Sequence, residues 1–179
     1  MKLTVVRAAL LCTIATTIAV AQRATPGPTP DIHYVPTSPG VADAMLKLAG
    51  VTSSDTVYDL GSGDGRIVIA AAKKYGARGV GVEIDPKLVA TARKNAESAG
   101  VSDRVTFRQE DLFKTSLSDA TVVTMYLSTT INMRLRSKLQ RELKPGARIV
   151  SHRFLIGDWK PEAEEGHEGT NIYLWTISR

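Results

Sequence analysis

The stretch VYDLGSGDGRIVIAAAKKYG, residues 57–76, decides the fold that the sequence predicts. It predicts a buried strand over Thr56–Leu60, a tight glycine turn, and a helix over Arg66–Tyr75. Glycines stand at alternate positions of the turn, where the missing Cβ permits positive φ and lets a ligand lie against the backbone. A helix that begins there directs its free N–H groups toward the turn. The stretch therefore predicts a nucleotide-type site at the carboxyl end of a parallel strand.

The residues beside these glycines indicate which nucleotide is bound. The dinucleotide fingerprint G-x-G-x-x-G would put its last glycine at position 66, which holds arginine. The turn reads instead Asp59-x-Gly61-Ser62-Gly63-x-Gly65, with a carboxylate two residues before the first glycine. A carboxylate there repels a pyrophosphate and suits a ligand that carries an ammonium group. S-adenosylmethionine (SAM) has an ammonium group, a sulfonium and a ribose diol, and it has no phosphate.

Two further acids end the next two predicted strands. Glu83 stands near the end of the strand over Gly79–Ile84, where a doubly wound fold places the acid that accepts both ribose hydroxyls. We expect it to be partly solvated, so its removal would leave the stability of the cofactor-free protein unchanged. Asp111 follows the strand over Val105–Gln109 and can accept a hydrogen bond from the adenine amino group. Each acid alone fits a solvated strand end, but three around one crevice favour SAM over NAD or NADP.

The rest of the chain continues the alternation of strands and helices. Further strands are predicted over Thr121–Leu127, Ala147–Ile156 and Asn171–Ser178, and further helices over Val41–Leu48, Pro86–Ala99 and Ile131–Leu143. Strands separated by helices predict an α/β fold with a doubly wound, mostly parallel sheet.

Two segments precede the predicted domain, which spans residues 41–179. Residues 1–21 predict a signal peptide or another targeting segment, because two basic residues precede an apolar core that ends in Ala19-Val20-Ala21. An organelle presequence and an ordinary first helix are the alternatives. Residues 22–40 predict a proline-rich linker without a helix, whose last part, DIHYVPTSP, lies against the domain. We therefore expect an exported or membrane-associated protein, with an organelle or the cytoplasm as alternative locations.

Composition argues against several kinds of chemistry. The only cysteine, Cys12, lies in the apolar core of the predicted targeting segment, so neither a disulfide nor a cysteine nucleophile is predicted. The three histidines, His33, His152 and His167, share no ligand spacing, and no metal site is predicted. The formal net charge is +5, of which the first seven residues supply two; the remainder is too small to predict nucleic-acid binding.

The acid–glycine turn, the second-strand acid and the step Glu110-Asp111-Leu112 resemble class I SAM-dependent methyltransferases. This resemblance implies a Rossmann-like fold with an antiparallel last strand. More narrowly, HYVPTSP and TMYLSTTINMRLRSKLQRELKPGARIVSHRFLIGDWKP are similar to a group of small protein-lysine methyltransferases. That group contains the mitochondrial enzymes that act on the ATP synthase c subunit and on the adenine nucleotide translocase, and their archaeal relatives. The resemblance covers residues 34–179.

The resemblance implies SAM as the cofactor and a protein lysine as the acceptor, in a substrate that can be membrane-associated. SAM-binding positions are predicted in the turn and at the strand ends, namely Asp59, Gly61, Ser62, Gly63, Gly65, Glu83 and Asp111. The approach segment Tyr34, Val35, Pro36 and Thr37 would cover the methionine end of the cofactor. Small-molecule methylation, RNA methylation and a non-catalytic, exported SAM-binding protein are the alternative functions.

Tyr126 is the candidate catalytic residue. Tyr126-Leu127 stands where methyltransferases acting on planar nitrogens have Asn/Asp-Pro-Pro-Tyr, which argues against an adenine or amide acceptor. A lysine amine with a pKa near 10.4 loses its proton at a cost of about 4.6 kcal/mol at pH 7. Burial beside the sulfonium lowers that pKa without a dedicated base. Tyr126 has two interpretations: it orients the amine through its hydroxyl and ring face, or it is a packing residue at a strand end. His152 also has two: it is a general base, or it is a residue of the protein interior.

Overall fold

The computed structural model describes residues 34–178 of the chain. The predicted targeting segment with Cys12, most of the proline-rich linker and His33 lie outside the described residues. The elements are α1 (Pro39–Leu48), β1 (Thr56–Leu60), α2 (Arg66–Tyr75), β2 (Arg78–Glu83), α3 (Pro86–Ser98), β3 (Val105–Gln109), β4 (Val122–Met125), α4 (Thr129–Glu142), β5 (Arg148–His152), β6 (Ala163–His167) and β7 (Thr170–Thr176). No helix within residues 34–178 combines the length and the hydropathy of a membrane span.

One seven-stranded sheet contains these strands in the order β3-β2-β1-β4-β5-β7-β6. The strands from β1 to β5 run parallel, and β7 runs antiparallel to both of its neighbours. This confirms the predicted α/β fold with a mostly parallel sheet and an antiparallel last strand. The strand order reverses between β1 and β4, and doubly wound sheets bind their ligands outside the carboxyl ends of the strands at such a point.

Helices cover both faces of the sheet. α1, α2 and α3 pack on one face, where the side chains of Met45 and Val68 are fully buried. α4 covers the other face through Leu135 and Leu139, which are also fully buried and continue to Leu143 at its C-cap. The four-residue spacing of these leucines predicts an apolar face on one side of a helix. The periodic pattern of buried residues, rather than the helix propensity of each residue, therefore predicts α4.

Three strands end two or more residues earlier than the sequence predicts: β4, β5 and β7, which ends at Thr176 rather than Ser178. β5 ends at His152 rather than Ile156, because Arg153 has φ 68°, which is incompatible with a strand. β4 ends at Met125 rather than Leu127, because the chain leaves the sheet there for α4. The side chain of Ser128 accepts a hydrogen bond from the N–H of Ile131 (3.3 Å) and starts α4 two residues before its predicted start.

The start of α1 corrects the prediction that no helix forms before Val41. The helix begins at Pro39, and Ser38 caps it by accepting a hydrogen bond from the N–H of Val41 (3.2 Å). Proline is compatible with a first helical position, because its missing N–H would have no partner there and its φ is already helical. The prolines of this segment therefore limit the helix less than the sequence argument assumed.

β6 is the one described strand that the sequence analysis missed. Its sequence, AEEGH, has no alternation of apolar residues, because it is an exposed edge strand that pairs only with β7. The two strands are joined at Glu168 and Gly169, which have φ of 49° and 77°. Two successive positive φ values are typical of a type I′ hairpin turn. The pair Glu-Gly before the last strand could have predicted this hairpin turn, although Asn-Gly or Asp-Gly is the usual sequence of such a turn.

Candidate active site

A cavity of about 550 Å³ opens at the carboxyl ends of the first four strands, where the strand order reverses. Most of the predicted site residues line it: Tyr34, Val35, Pro36, Thr37, Asp59, Gly61, Ser62, Glu83, Asp111 and Tyr126. Further lining residues were not predicted as site residues, namely Asp64, Arg66, Ile67, Val82, Ile84, Asp85, Leu88, Glu110, Leu112, Leu127 and Ile131. In the loops at the strand ends, apolar residues follow directly after the predicted acids. This position in the sequence could have identified these apolar residues as part of the site.

Gly63 and Gly65 are not among the lining residues, and the structure gives them a role in the shape of the turn. A Cβ at Gly65, which has φ 81°, would lie 2.5 Å from the ring of Phe107, so only glycine lets α2 pack against β3. A Cβ at Gly63 would lie 2.2 Å from the ring of Tyr34. Gly63 therefore allows Tyr34 to lie directly over the turn.

Glu83 binds the turn through hydrogen bonds to the backbone. Its Oε2 accepts the N–H of Gly63 (2.9 Å), and its Oε1 accepts the N–H groups of Ile84 (2.8 Å) and Asp85 (3.0 Å). The residue is only 8% exposed, so the expectation of a partly solvated carboxylate is wrong. An ionised carboxylate has about four acceptor positions, which leaves capacity for a ribose hydroxyl. Glu83 can thus hold the turn and bind a ligand at the same time.

Asp59 is a buried carboxyl group at the end of β1, with 3% of its surface exposed. Its Oδ1 accepts a hydrogen bond from the hydroxyl of Thr124 (2.8 Å). Burial raises the pKa of Asp59 to about 7, the charges of Glu83 and Asp64 add to this, and the Thr124 hydrogen bond opposes it. A cationic group in the cavity would favour the ionised form, so Asp59 is suited to an ammonium ligand.

The approach segment, residues 34–38, lies across one side of the cavity and is held there by side chains of the domain. Arg66 donates from Nη1 to the carbonyl oxygen of Thr37 (2.8 Å) and pairs through Nη2 and Nε with both carboxylate oxygens of Asp64 (2.7 and 2.9 Å). The hydroxyl of Thr37 forms a hydrogen bond with Nδ1 of His152 (3.2 Å). These contacts fix Thr37 at the cavity, in agreement with the expectation that this segment lies against the domain.

Asp111 and three apolar side chains form the far end of the cavity. Asp111 accepts the N–H of Phe113 (2.9 Å) through Oδ1, which orients its carboxylate after β3. Ile84, Leu88 and Leu112 line the cavity beside it. A flat purine with an exocyclic amino group fits such a combination of apolar walls and one acceptor.

Tyr126 lies at the opposite end and is supported by two other rings. Its ring centroid is 3.9 Å from that of His152, and it lies nearly parallel to Phe154 at 6.1 Å. Burial lowers the pKa of His152, with a further contribution from the charge of Arg153, so the imidazole is neutral at pH 7. His152 does not line the cavity and bonds to Thr37 instead. It is therefore an interior residue that supports Tyr126, as one of the two sequence interpretations held.

The hydroxyl of Ser62 tests whether the cavity fits a polar cofactor. Ser62 Oγ is buried, lines the cavity and has no hydrogen-bond partner within residues 34–178. Buried polar groups are almost always paired, so an orphaned hydroxyl in a ligand cavity points to a hydrogen bond with the ligand. A SAM-sized molecule with hydroxyl and carboxylate groups fits this requirement. Within the same described range, no group of three His, Cys, Asp or Glu side chains is arranged to hold a metal ion.

Glycines after β1, acids at the ends of three successive strands and a single antiparallel strand define the class of SAM-dependent methyltransferases. Comparison with known proteins then gives the family. The chain belongs to the family described as the ANTKMT methyltransferase domain, whose model matches residues 59–163. SAM is accordingly the cofactor of this enzyme, as the sequence predicted.

Several relatives in this family have names that state an activity. The protein-lysine N-methyltransferase of Saccharolobus islandicus is 44% identical over 153 residues, which cover 83% of this chain and 95% of the relative. The adenine nucleotide translocase lysine N-methyltransferase of Mus musculus is 46% identical over 146 residues, covering 82% of this chain and 63% of the relative. A lysine N-methyltransferase of Homo sapiens, named for the c subunit of ATP synthase, is 34% identical over 168 residues, covering 91% and 71%.

Solved structures with the same fold contain the demethylated cofactor. A structure from Salinibacter ruber, described as an RNA methyltransferase in complex with S-adenosylhomocysteine (SAH), is 57% identical, with a TM-score of 0.79. The match covers 80% of this chain and 94% of that one. A SAM-dependent methyltransferase from Geobacter sulfurreducens in complex with SAH is 30% identical, with a TM-score of 0.54 over 62% of this chain and 47% of the other.

Proposed function

We propose that this protein transfers methyl groups from SAM to lysine side chains of a protein substrate. The observation that carries the proposal is the position of Tyr126, an aromatic side chain that lines the cofactor cavity at the end opposite the purine site. The loop that follows β4 lacks the Asn/Asp-Pro-Pro-Tyr sequence suited to planar nitrogens. The names of the archaeal and mouse relatives, at 44% and 46% identity, support a lysine acceptor.

Bound SAM supplies an electrophilic methyl group on a sulfonium, and the chain supplies binding, orientation and exclusion of water. In this proposal Glu83 accepts the ribose hydroxyls, Asp59 pairs with the ammonium group and Tyr126 orients the acceptor amine; that all three line one cavity supports these roles. The apolar side chains of Leu127 and Ile131 line the cavity next to Tyr126. An amine that is desolvated there beside a cation has a lowered pKa, so it can attack as the neutral base after releasing its proton to solvent.

A membrane-associated substrate and a targeting role for residues 1–21 belong to the same proposal. Two basic residues followed by an apolar stretch support them. Export would separate the enzyme from cytosolic SAM, so a compartment that contains both SAM and the substrate is required. Expressing the full chain with a C-terminal tag and sequencing the N-terminus of the product tests for cleavage after residue 21.

RNA methylation is the second candidate, because the Salinibacter ruber structure described as an RNA methyltransferase is 57% identical. The cavity carries several carboxylates, which repel a phosphate backbone at the site. The choice between the two acceptors is open to direct measurement.

The deciding experiment incubates the full chain with methyl-tritiated SAM and, separately, with membrane-protein extract, soluble-protein extract and total RNA. We expect the label in protein, and we expect acid hydrolysis to release it as methylated lysine. The Asp59→Ala variant is the negative control, since it removes the partner of the ammonium group. Label in RNA nucleosides would establish the second candidate instead. No label in any of the three would leave a SAM-binding protein without methyl transfer.

A further inference from the structure

The turn that follows β5 contains an unusual backbone conformation. Arg153 has φ 68°, and the N–H of Phe154 donates to the carbonyl oxygen of His152 at 2.8 Å. A hydrogen bond between residues two apart, with a positive φ at the central residue, defines a γ-turn of the rare and strained kind. A non-glycine residue persists in such a conformation only where its surroundings impose it.

Two fully buried polar side chains impose this turn. The hydroxyl of Ser151, on β5, donates to the carbonyl oxygen of Phe154 at 2.6 Å. Nδ2 of Asn132, on α4, donates to the same oxygen at 3.0 Å and lies 3.2 Å from the Ser151 hydroxyl. On the other side, the N–H of Arg153 donates to the carbonyl oxygen of Asn171 at 2.7 Å. We call Asn132 and Ser151 the turn clamp.

The clamped turn determines where the ring of Phe154 lies. This ring is half-buried and nearly parallel to that of Tyr126, with an angle of 19° between the planes and 6.1 Å between the centroids. Tyr126 lines the cofactor cavity and Phe154 does not, so Phe154 lies next to Tyr126 just outside the cavity. The aliphatic chain of an acceptor can pack against such rings.

We propose that Asn132 and Ser151 are positioning residues, which hold the strained turn so that Phe154 and Tyr126 form the wall of the acceptor subsite. The inference rests on the proposed function and adds which residues shape the subsite for the lysine side chain. A turn that only connected β5 to the following segment would need no buried clamp, because glycine at position 153 would adopt it without strain. Strain that is stabilised by buried hydrogen bonds next to a ligand cavity is typical of a functional site.

The first test is the Ser151→Ala variant of the full chain, which removes the 2.6 Å hydrogen bond and adds no volume. The substrate is the protein fraction to which the wild-type chain transfers label. With this substrate we expect the rate of methyl transfer to fall about tenfold. Affinity for SAH should stay within about twofold of wild type, because the clamp does not line the cavity. Ser98→Ala, on the exposed end of α3, is the matched control and should change neither quantity.

The Asn132→Asp variant keeps the size of the side chain and removes the N–H donor. It should reproduce the same separation of methyl transfer from SAH affinity. Unchanged transfer in both variants would overturn the inference. Equal losses of transfer and SAH affinity would also overturn it, because they would show a general loosening of the site.

A second readout separates this inference from the proposed function. Butylamine, which has the four-carbon chain and terminal amine of lysine, is titrated into the full chain with SAH while the ring resonances of Tyr126 and Phe154 are followed by NMR. We expect the resonances of both rings to shift in wild type, and only weak shifts in Ser151→Ala. If the wild-type protein transfers no methyl label to lysine, the proposed function is wrong. The shifts of the two ring resonances with butylamine then test by themselves whether the acceptor subsite exists. No shift in wild type, or equal shifts in the variant, would overturn the inference.

Discussion

Three backbone N–H groups converge on the carboxylate of Glu83, so this residue stabilises the glycine turn in the absence of any ligand. We expect Glu83→Ala to lower the free energy of unfolding of the cofactor-free chain by about 2 kcal/mol, because buried N–H groups lose a charged acceptor. Affinity for SAH should fall at least tenfold, about 1.4 kcal/mol. Thermal melts without ligand and calorimetry with SAH measure the two effects. Glu97→Ala, on the exposed face of α3, is the control; an unchanged melting temperature in Glu83→Ala would contradict this role.

We expect Asp59 to give cofactor binding a dependence on pH. Its pKa is about 7 in the folded chain against an ordinary value of 3.8, because burial favours the neutral form. The folded protein thus keeps a proton that the unfolded chain releases near pH 4, and the contribution of Asp59 to stability falls as pH rises to 7. An ammonium ligand favours the ionised form, so SAH affinity should rise between pH 5 and 7. Calorimetry should show this rise in wild type and a weaker, flat profile in Asp59→Asn; a flat wild-type profile would contradict it.

At the scale of elements, Arg66 is one of the side chains that hold the approach segment. Arg66 joins the first turn of α2 to the carbonyl oxygen of Thr37 and to Asp64, so it holds residues 34–38 at the cavity. We expect Arg66→Ala to weaken SAH binding about tenfold, since the segment must then be ordered by the ligand itself. Arg104→Ala removes a half-exposed arginine near the opposite end of the sheet and should leave the affinity unchanged. Equal affinities in the two variants would contradict this role of Arg66.

The turn after β5 makes a separate prediction about stability. Glycine adopts positive φ without strain, although it also loses more conformational entropy on folding. Because a left-handed non-glycine residue costs about 1–3 kcal/mol, Arg153→Gly should raise the free energy of unfolding by about 1 kcal/mol. Urea denaturation of the cofactor-free chain measures the difference. A loss of stability would show that the Arg153 side chain contributes more than its backbone conformation costs.

At the scale of the whole molecule, the sequence predicted what depends on local pattern. β1 and α2 agree with their predicted bounds, because an apolar run, a glycine turn and a helical period stand side by side there. The acids of three strands could be assigned to one crevice, because the carboxyl ends of parallel strands meet at the same edge. Fold class and cofactor thus followed from short stretches of sequence.

Contacts between distant residues were out of reach of the same reasoning. Asn132 and Ser151 meet only because α4 packs across β5 in one register, and nothing in either local sequence indicates it. The bond between Arg66 and Thr37 spans 29 positions and depends on where the approach segment crosses the cavity. The charged edge strand β6 was missed because it buries little, and burial is what produces a periodic pattern.

The border of the functional domain is a property of the whole molecule, and the structure allows it to be tested. The predicted domain begins at residue 41, but Ser38 caps α1, Thr37 bonds to Arg66 and His152, and Tyr34 lies over the glycine turn. We therefore expect a chain that begins at residue 34 to melt cooperatively and to bind SAH as the full chain does. A chain that begins at residue 41 loses the cap of α1, worth about 1 kcal/mol, together with one wall of the cavity.

The shorter chain should accordingly melt at a lower temperature and bind SAH at least tenfold more weakly, because its cavity is open on the side that the approach segment covers. Scanning calorimetry and titration calorimetry on both chains measure the two quantities under the same conditions. A chain from residue 41 that binds SAH as tightly as the longer one would place the whole cofactor site within residues 41–179. Weak binding by the chain from residue 34 would instead assign part of the site to the first 33 residues.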